Sequence, residues 1–519
     1  MSNTFRRARK DMHYLFRPTN ELNPKERKRK RRAKRAAVGM FFVFIQIILL
    51  ILFLMKIFYL DLLPMKYLLI LNGILFLITL YTFLSQFTRA HMIGKLLSII
   101  MSVVLLVGFL YTAKLADTLG VITGRTTKTD IIDIMVLKDD PAASLNDALQ
   151  YSFGYNTTVN SAIVSKAIGE IETEKNTSLK TKTYTKWDDL LNDLYANKTI
   201  QAFVVHDSVR STLAEEYPGF EDNTRILDTV KITTEVNLSA SDKKVNEEPF
   251  IVYLSGNDGE GQVSSIGRSD VNILAVINPK TRQVLLVSTP RDAFITISNS
   301  DGKSGLDKLT HAGNAGIEYS VSALENLYGL TIDYYLKLNF TGCIEIVDAL
   351  GGITINSDVD FTNGYEAAPE SYHFHVGENS CNGEQTLAFV RERKAFRDGD
   401  FQRGRNQEAA IKGIINKATS PAILTNYNSV LDAVSNMIFT NMSTATITSL
   451  IRGQLSNPKS WNIQSYTIDG KTDTKDCTVY NLHNVSVVIP DPDSIDTAKT
   501  FIQKTIAGES YDVDDVPTP

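Results

Sequence analysis

The chain has 519 residues, 43% of them apolar and 22% charged, with a formal net charge of −4 and three cysteines. That length suits two or three domains, and so few cysteines exclude a disulfide scaffold. The charge is polarised: residues 1–36 carry 14 Lys and Arg against Asp11, Glu21 and Glu26, a net of +11, so the remainder sums to −15.

A basic head can belong to a nucleic-acid-binding tail, but the segments after it argue for a membrane. Residues 37–60, 67–87 and 96–116 are three apolar runs separated by short joins. Each is long enough, or nearly so, to cross ~30 Å of hydrocarbon as a helix. Basic residues favour the cytoplasmic side. The 14-cation head and the join holding Arg89, His91 and Lys95 are therefore expected inside, and everything after about Lys114 outside. With no small-residue cleavage site after the first run, the spans read as a retained anchor.

Residues 125–237 read as a small α/β accessory domain. "DIIDIMVLKDD", "IQAFVVHDS" and "TRILDTVKI" are rich in β-branched residues and predict strands. "SLNDALQYSFGYN" and "WDDLLNDLYAN" have helical spacing. No chemical motif occurs in this region. A polar linker over 238–249 follows. Residues 250–506 then alternate strands ("FIVYLSG", "VNILAVINP", "QVLLVST", "IDYYLKLNF", "ITIN", "NIQSYTIDG") with helical segments. That alternation predicts a sheet covered by helices on both faces. Residues 507–519 read as an acidic disordered tail.

The chain contains no HExxH, GxSxG or CxxC. "GKT" at Gly470 and "GKS" at Gly302 lack the phosphate-loop glycine five residues earlier, where Ser465 and Ile297 stand. His373 and His375 in "YHFHV" share one face of an extended strand, but the neighbouring sequence offers no third metal ligand. Cysteine spacing permits one bridge, Cys381 to Cys477, without establishing it.

Three stretches carry more chemistry. "SGNDGEGQVSSIGRSDVNI" supplies Asp258, Arg268 and Asp270 in a glycine-bearing loop after a strand, where α/β proteins build sites. "VSTPRDAF" puts Arg291 and Asp292 directly after another strand. "LAFVRERKAFRDGDFQRGRNQEAAI" holds five arginines. Arg391 and Arg393, two apart, lie on different sides of an ideal helix, so only a helix end or bend lets both reach one ligand. Arg403 and Gln407 share a helix face, and Arg397 reads as solvated. Arginines grip phosphate oxygens bidentately, and paired carboxylates suit Mg²⁺. The chemistry predicts a phosphate or pyrophosphate site outside the membrane.

These stretches, together with "DKLTHAG" and "ENLYGLTIDYYLKLNF", resemble the LytR-CpsA-Psr (LCP) family over roughly Phe250 to Ser456. The three spans and accessory domain resemble its capsule-associated CpsA type, found in Gram-positive bacteria. The resemblance implies an α/β/α sandwich with an apolar lipid tunnel. It implies transfer of a glycopolymer, capsular polysaccharide, from a polyprenyl-pyrophosphate lipid to peptidoglycan through a phosphodiester. Asp258 and Asp270 become the expected Mg²⁺ ligands, with Mn²⁺ as the alternative ion. Arg268, Arg291, Arg391, Arg393, Arg403 and Gln407 become pyrophosphate ligands, with Lys308 and Arg405 as further candidates and Asp292 as a partner of Arg291 or a proton carrier. Cys381 stands where the family often has leucine, which favours a small core residue over a disulfide. The expected partners are the polyprenyl-pyrophosphate-linked polysaccharide, peptidoglycan, the membrane and other capsule-assembly proteins, with no nucleic acid. Two alternatives stand beside it: a non-catalytic regulator that grips the lipid-linked polymer with the same arginines but would not need the paired Asp258 and Asp270, and a pyrophosphatase that hydrolyses the carrier and would share every motif.

Overall fold

The computed structural model describes residues 2–123, 127–235, 241–257, 263, 266–397, 399–420 and 427–515. It divides into two units: residues 1–120 with 444–459, and residues 121–443 with 460–519.

In the first unit, the helices Pro24–Leu60, Met65–Ser85 and His91–Thr123 are each long and apolar enough to cross a membrane. The first begins inside the basic head, where the Asn23 side chain accepts from the backbone N–H groups of Lys25 and Glu26 while Glu26 accepts from that of Asn23. This reciprocal cap satisfies donors that a helix start otherwise leaves open. The first and second helices meet through Gln46, which donates to Thr79 and accepts from Thr82. Such polar pairs join helices where hydrocarbon surrounds them and hydrophobicity gives no preference for protein over lipid. The helix Thr444–Ser456 belongs to this unit: its Arg452 pairs with Asp61, and Lys66 donates to the Ser456 carbonyl at 3.1 Å.

The second unit contains two principal sheets. The N-terminal one has five strands in the order Lys180–Tyr184, Ser152–Asn156, Ala202–His206, Thr127–Leu137, Thr224–Glu235. "SLNDALQYSFGYN" is helical only at Leu145–Ala148 and then becomes the strand Ser152–Asn156. Phe153 faces the core there between two parallel neighbours, so sheet pairing overrides the local helical spacing. The second sheet has six strands in the order Phe439–Thr440, Tyr334–Asn339, Phe250–Asn257, Val271–Asn278, Gln283–Ser288, Asn462–Thr467. "NIQSYTIDG" does not close the fold: the hairpin Gly470–Cys477/Leu482–Pro490 and the helix Pro492–Ala507 follow it.

One apolar core runs through both sheet systems, joining Trp187, Phe203 and Leu213 to Tyr253, Leu274 and Leu285. Polar contacts fasten the same junction. Asn314 donates to Thr212 at 3.0 Å, and the Ser161 hydroxyl donates to Asp301 at 2.6 Å.

The bridge that spacing permitted does not form, and the expected disordered tail is corrected. Cys343, Cys381 and Cys477 are all free thiols, so no Cys381–Cys477 bridge exists. Cys381 instead fills a small apolar cluster with Ile353 and Phe389. Residues 508–515 are not a disordered tail: Tyr511 stacks on Phe501 at 5.1 Å, and Val513 N–H donates to Gln464. An aromatic ring within the acidic run gives it a place on the core.

Candidate active site

The antiparallel register between Val271–Asn278 and Gln283–Ser288 sets Ile273 opposite Ser288. That pairing brings the loop before one strand beside the loop after the other. Asp270 and Arg291 therefore meet, with Arg291 Nη1 3.0 Å from Asp270 Oδ1. Both side chains line a pocket of about 680 Å³ with Arg268, Arg391, Arg393, Arg403 and Gln407.

The arginine-rich stretch reaches this pocket by ending a helix. Gly383–Arg391 stops at Glu392, whose ψ of 133° is extended, so Arg393 leaves the helical screw that ends at Arg391 and both line the pocket. Glu392 is buried; its carboxylate accepts from Ala395 N–H at 2.9 Å and from Gly364 N–H at 2.5 Å. It thereby ties the turn to the loop Gly364–Ala367, another pocket wall. The next helix, Gly399–Ala418, presents Arg403 and Gln407 one turn apart. Arg391 also lies 4.7 Å from the centre of the Phe340 ring, a cation–π contact.

Electrostatics preserve the charged forms. Burial alone would raise the Asp270 pKa, but Arg291, Arg268 and Arg403 outweigh it and hold the carboxyl below its ordinary value. Burial works against the Arg291 charge, yet Asp270, Asp292 and Glu215 raise its pKa well above normal. Burial lowers the Arg403 pKa; Asp400, 3.0 Å away, opposes that shift while the Arg291 charge adds to it.

Other expected residues stand elsewhere. Asp292 and Lys308 form a layer behind the pocket, with Asp292 3.6 Å from both Arg291 and Lys308. Arg405 turns away from the pocket, pairing with Gln402 and with Asp358 at 3.5 Å, because it sits two residues beyond Arg403 on the helix. Arg397 is exposed. Asp258 lies outside the described residues. His373 and His375 do have a third candidate ligand, Asp360, which precedes them by more than a dozen residues and meets them only through a hairpin.

The accessory sheet also contributes to the site, which no motif signalled. Ser211, Ala214 and Glu215 of its helix Asp207–Glu216, with Glu221, line the same pocket. Glu215 bridges two arginines: one oxygen pairs with Arg268 and the other lies 2.6 Å from Arg291 Nη2. Burial would raise its pKa, but Arg291, Arg268 and Lys308 bring it down to about 2. Neighbouring Glu216 pairs with Lys308 at 2.8 Å.

A pocket that concentrates guanidiniums around a carboxylate is suited to a ligand with several negative oxygens. Residues 217–500 match the LytR_cpsA_psr family model, and the chain belongs to that family. A Bacillus anthracis polyisoprenyl-teichoic acid–peptidoglycan teichoic acid transferase, TagU, is 33% identical over 255 residues, 49% of this chain and 77% of its own. The Enterococcus faecalis protein of the same name is 34% identical over 225 residues, 43% of this chain and 71% of its own. The crystal structure of protein gbs0355 from Streptococcus agalactiae is 28% identical, covers 53% of this chain and 93% of that one, and superposes with a TM-score of 0.44.

Proposed function

We propose that this protein is a membrane-anchored phosphotransferase that moves a glycopolymer from a polyprenyl-pyrophosphate carrier to a peptidoglycan hydroxyl. The observation that carries this reading is the convergence of Arg268, Arg291, Arg391, Arg393 and Arg403 on one pocket around Asp270. The relatives named as teichoic acid transferases support the reaction class. The polymer is capsular polysaccharide in this reading, supported by the resemblance of the three spans and accessory domain to the capsule-associated type.

In the reaction, the acceptor oxygen attacks the polymer-side phosphorus. A P–O bond forms, the P–O bond to the bridging oxygen breaks, and polyprenyl phosphate leaves with the bonding pair. The hydroxyl proton passes to a base. Guanidiniums already fixed in the pocket stabilise charge growing on the leaving oxygen without reorganising. Gln407 shares a helix face with Arg403 and lines the same wall, where it orients the phosphate. Asp292 holds Arg291 from behind at 3.6 Å.

Asp270, a hard oxygen donor kept ionised by its arginines, suits Mg²⁺ or Mn²⁺. With Asp258 it forms the proposed ligand pair, and an ion there would supply further charge neutralisation at the phosphates. The basic head stays on the cytoplasmic side, and the accessory and LCP domains lie outside.

The test uses the full chain in detergent with a polyprenyl-pyrophosphate-linked saccharide, uncrosslinked glycan strands and Mg²⁺, read by mass spectrometry. A phosphodiester-linked conjugate from wild type, absent from Asp270→Ala, is expected. Free phosphorylated saccharide would indicate hydrolysis. Lipid binding without turnover would indicate a regulator.

A further inference from the structure

The Asp207–Glu216 helix is anchored by Val209 and Leu213 in the shared core, so Glu215 is delivered to the pocket by a fixed element. Its two oxygens engage two different arginines, as two non-bridging oxygens of a phosphate would. The Glu215 side chain keeps 32% of its exposure, whereas Arg291 keeps 7% and Arg268 10%. The guanidiniums are thus the buried partners, and the carboxylate is the one an incoming ligand can reach and displace.

We infer that Glu215 is a resident anion that discriminates the pyrophosphate substrate from the monophosphate product. This inference rests on the pyrophosphate site proposed above. Any ligand must replace the Glu215 carboxylate on Arg268 and Arg291. A diphosphate brings enough charged oxygens to do so and still reach Arg391, Arg393 and Arg403. The monophosphate left after transfer has one phosphate to satisfy the same cations, so Glu215 returns and favours its release. While the site is empty, the carboxylate pairs with both arginines and holds them oriented.

The experiment measures binding of a polyprenyl pyrophosphate and of the corresponding monophosphate to full-length wild type, Glu215→Gln and Arg291→Ala in detergent. The expected result is that Glu215→Gln binds monophosphate about tenfold tighter and pyrophosphate only a few-fold tighter. Its thermal stability without ligand should fall, because the bridge is lost. A merely structural residue would not combine tighter binding with a less stable empty protein. If Arg291→Ala binds pyrophosphate like wild type, the pyrophosphate site itself is refuted. If Arg291→Ala weakens binding while Glu215→Gln leaves monophosphate affinity unchanged or lower, only the Glu215 role is refuted.

A second, independent observation concerns the hairpin whose loop walls the pocket. Asp360 Oδ1 lies 3.5 Å from His373 Nε2, and its Oδ2 lies 3.5 Å from His375 Nδ1. Those separations exceed a charge-assisted hydrogen bond of ~2.7–2.9 Å. They approach the ~3.3 Å between tetrahedral ligands bonded at ~2.0–2.1 Å to zinc. His373 Nδ1 is 2.8 Å from Thr362 Oγ1, the outer contact that orients a metal-binding imidazole. Asn379 bonds the His375 backbone on both sides, accepting from its N–H at 3.0 Å and donating to its carbonyl at 2.7 Å.

The geometry points to a surface site for a zinc-type divalent cation on Asp360, His373 and His375. The hairpin has only two ladder pairs, Phe361–Phe374 and Thr362–His373, so an ion would staple the base of the loop that carries Gly364–Ala367. Metal-stripped, tag-free full-length protein is dialysed against Zn²⁺, with His375→Ala and Asp360→Asn alongside. Wild type should take up one equivalent more than the double variant His373→Ala/His375→Ala, and each single variant should bind it more weakly by more than the roughly tenfold that loss of an outer hydrogen-bond partner costs. Zn²⁺ should slow proteolysis within residues 363–372 in wild type alone. Equal uptake by wild type and the double variant overturns this site.

Discussion

Arg403 and Arg391 approach one pocket from different elements, so neither can substitute for the other. Arg403→Ala and Arg391→Ala should each weaken lipid binding and turnover together, on the order of 1.5–3 kcal/mol for a lost charge-assisted contact. Lipid-binding titration beside kcat measurement checks this, and normal affinity with a normal kcat would remove the phosphate assignment. Glu408, one residue beyond Gln407, offers a different measurement. Burial pushes its carboxyl up to about 8, against Lys412 and Thr467, from an ordinary 4.5. Between those values the unfolded chain has released a proton that the native state retains, so native stability falls as pH rises through that window. Glu408→Gln should therefore melt higher than wild type at pH 8 and match it near pH 4.5, as read by Tm. Arginine clustering and the helix spacing of Arg403 and Gln407 were visible in sequence. Glu215 was not, because two glutamates at a helix end look like any solvated pair until a fold sets them against cations.

Among the elements, the helix Gly399–Ala418 does most to place the site, and its seat depends on a glycine. A Cβ at Gly413 would come within 2.6 Å of the Thr354 carbonyl oxygen in the strand Ile353–Ser357. Gly413→Ala should destabilise the protein by about 1–3 kcal/mol through this overpacking and loosen Arg403 with it. Denaturant unfolding and lipid affinity should change together; an unchanged midpoint would show that the helix does not rest on this contact. Period-2 patterns revealed eight of the eleven described strands in the two principal sheets. They failed at Ser152–Asn156, where a short strand between parallel partners followed a helical turn without a punctuating residue. The join at Arg391–Arg393 required a helix end by elementary geometry, and the chain supplies one at Glu392.

At the scale of the molecule, three apolar helices and a basic head predict an N-terminus in the cytoplasm and everything after about Lys114 outside. Single cysteines introduced near residue 20 and residue 240 of a cysteine-free variant should respond oppositely to a membrane-impermeant thiol reagent on intact cells, with only the second labelled. Labelling of the first alone would invert the topology. The continuous core between the five- and six-stranded sheets explains how an accessory region without a motif of its own supplies pocket residues.

By itself the sequence determined the apolar spans, the charge polarity, the α/β alternation and the residue types of an anion site, because each is written in local composition or short spacing. Tertiary structure alone decided that Asp270 meets Arg291, that Arg405 faces away, that Asp360 joins two histidines and that Glu215 occupies the arginines. These are contacts between segments distant in the chain, set by strand register and domain packing, and no local periodicity encodes them.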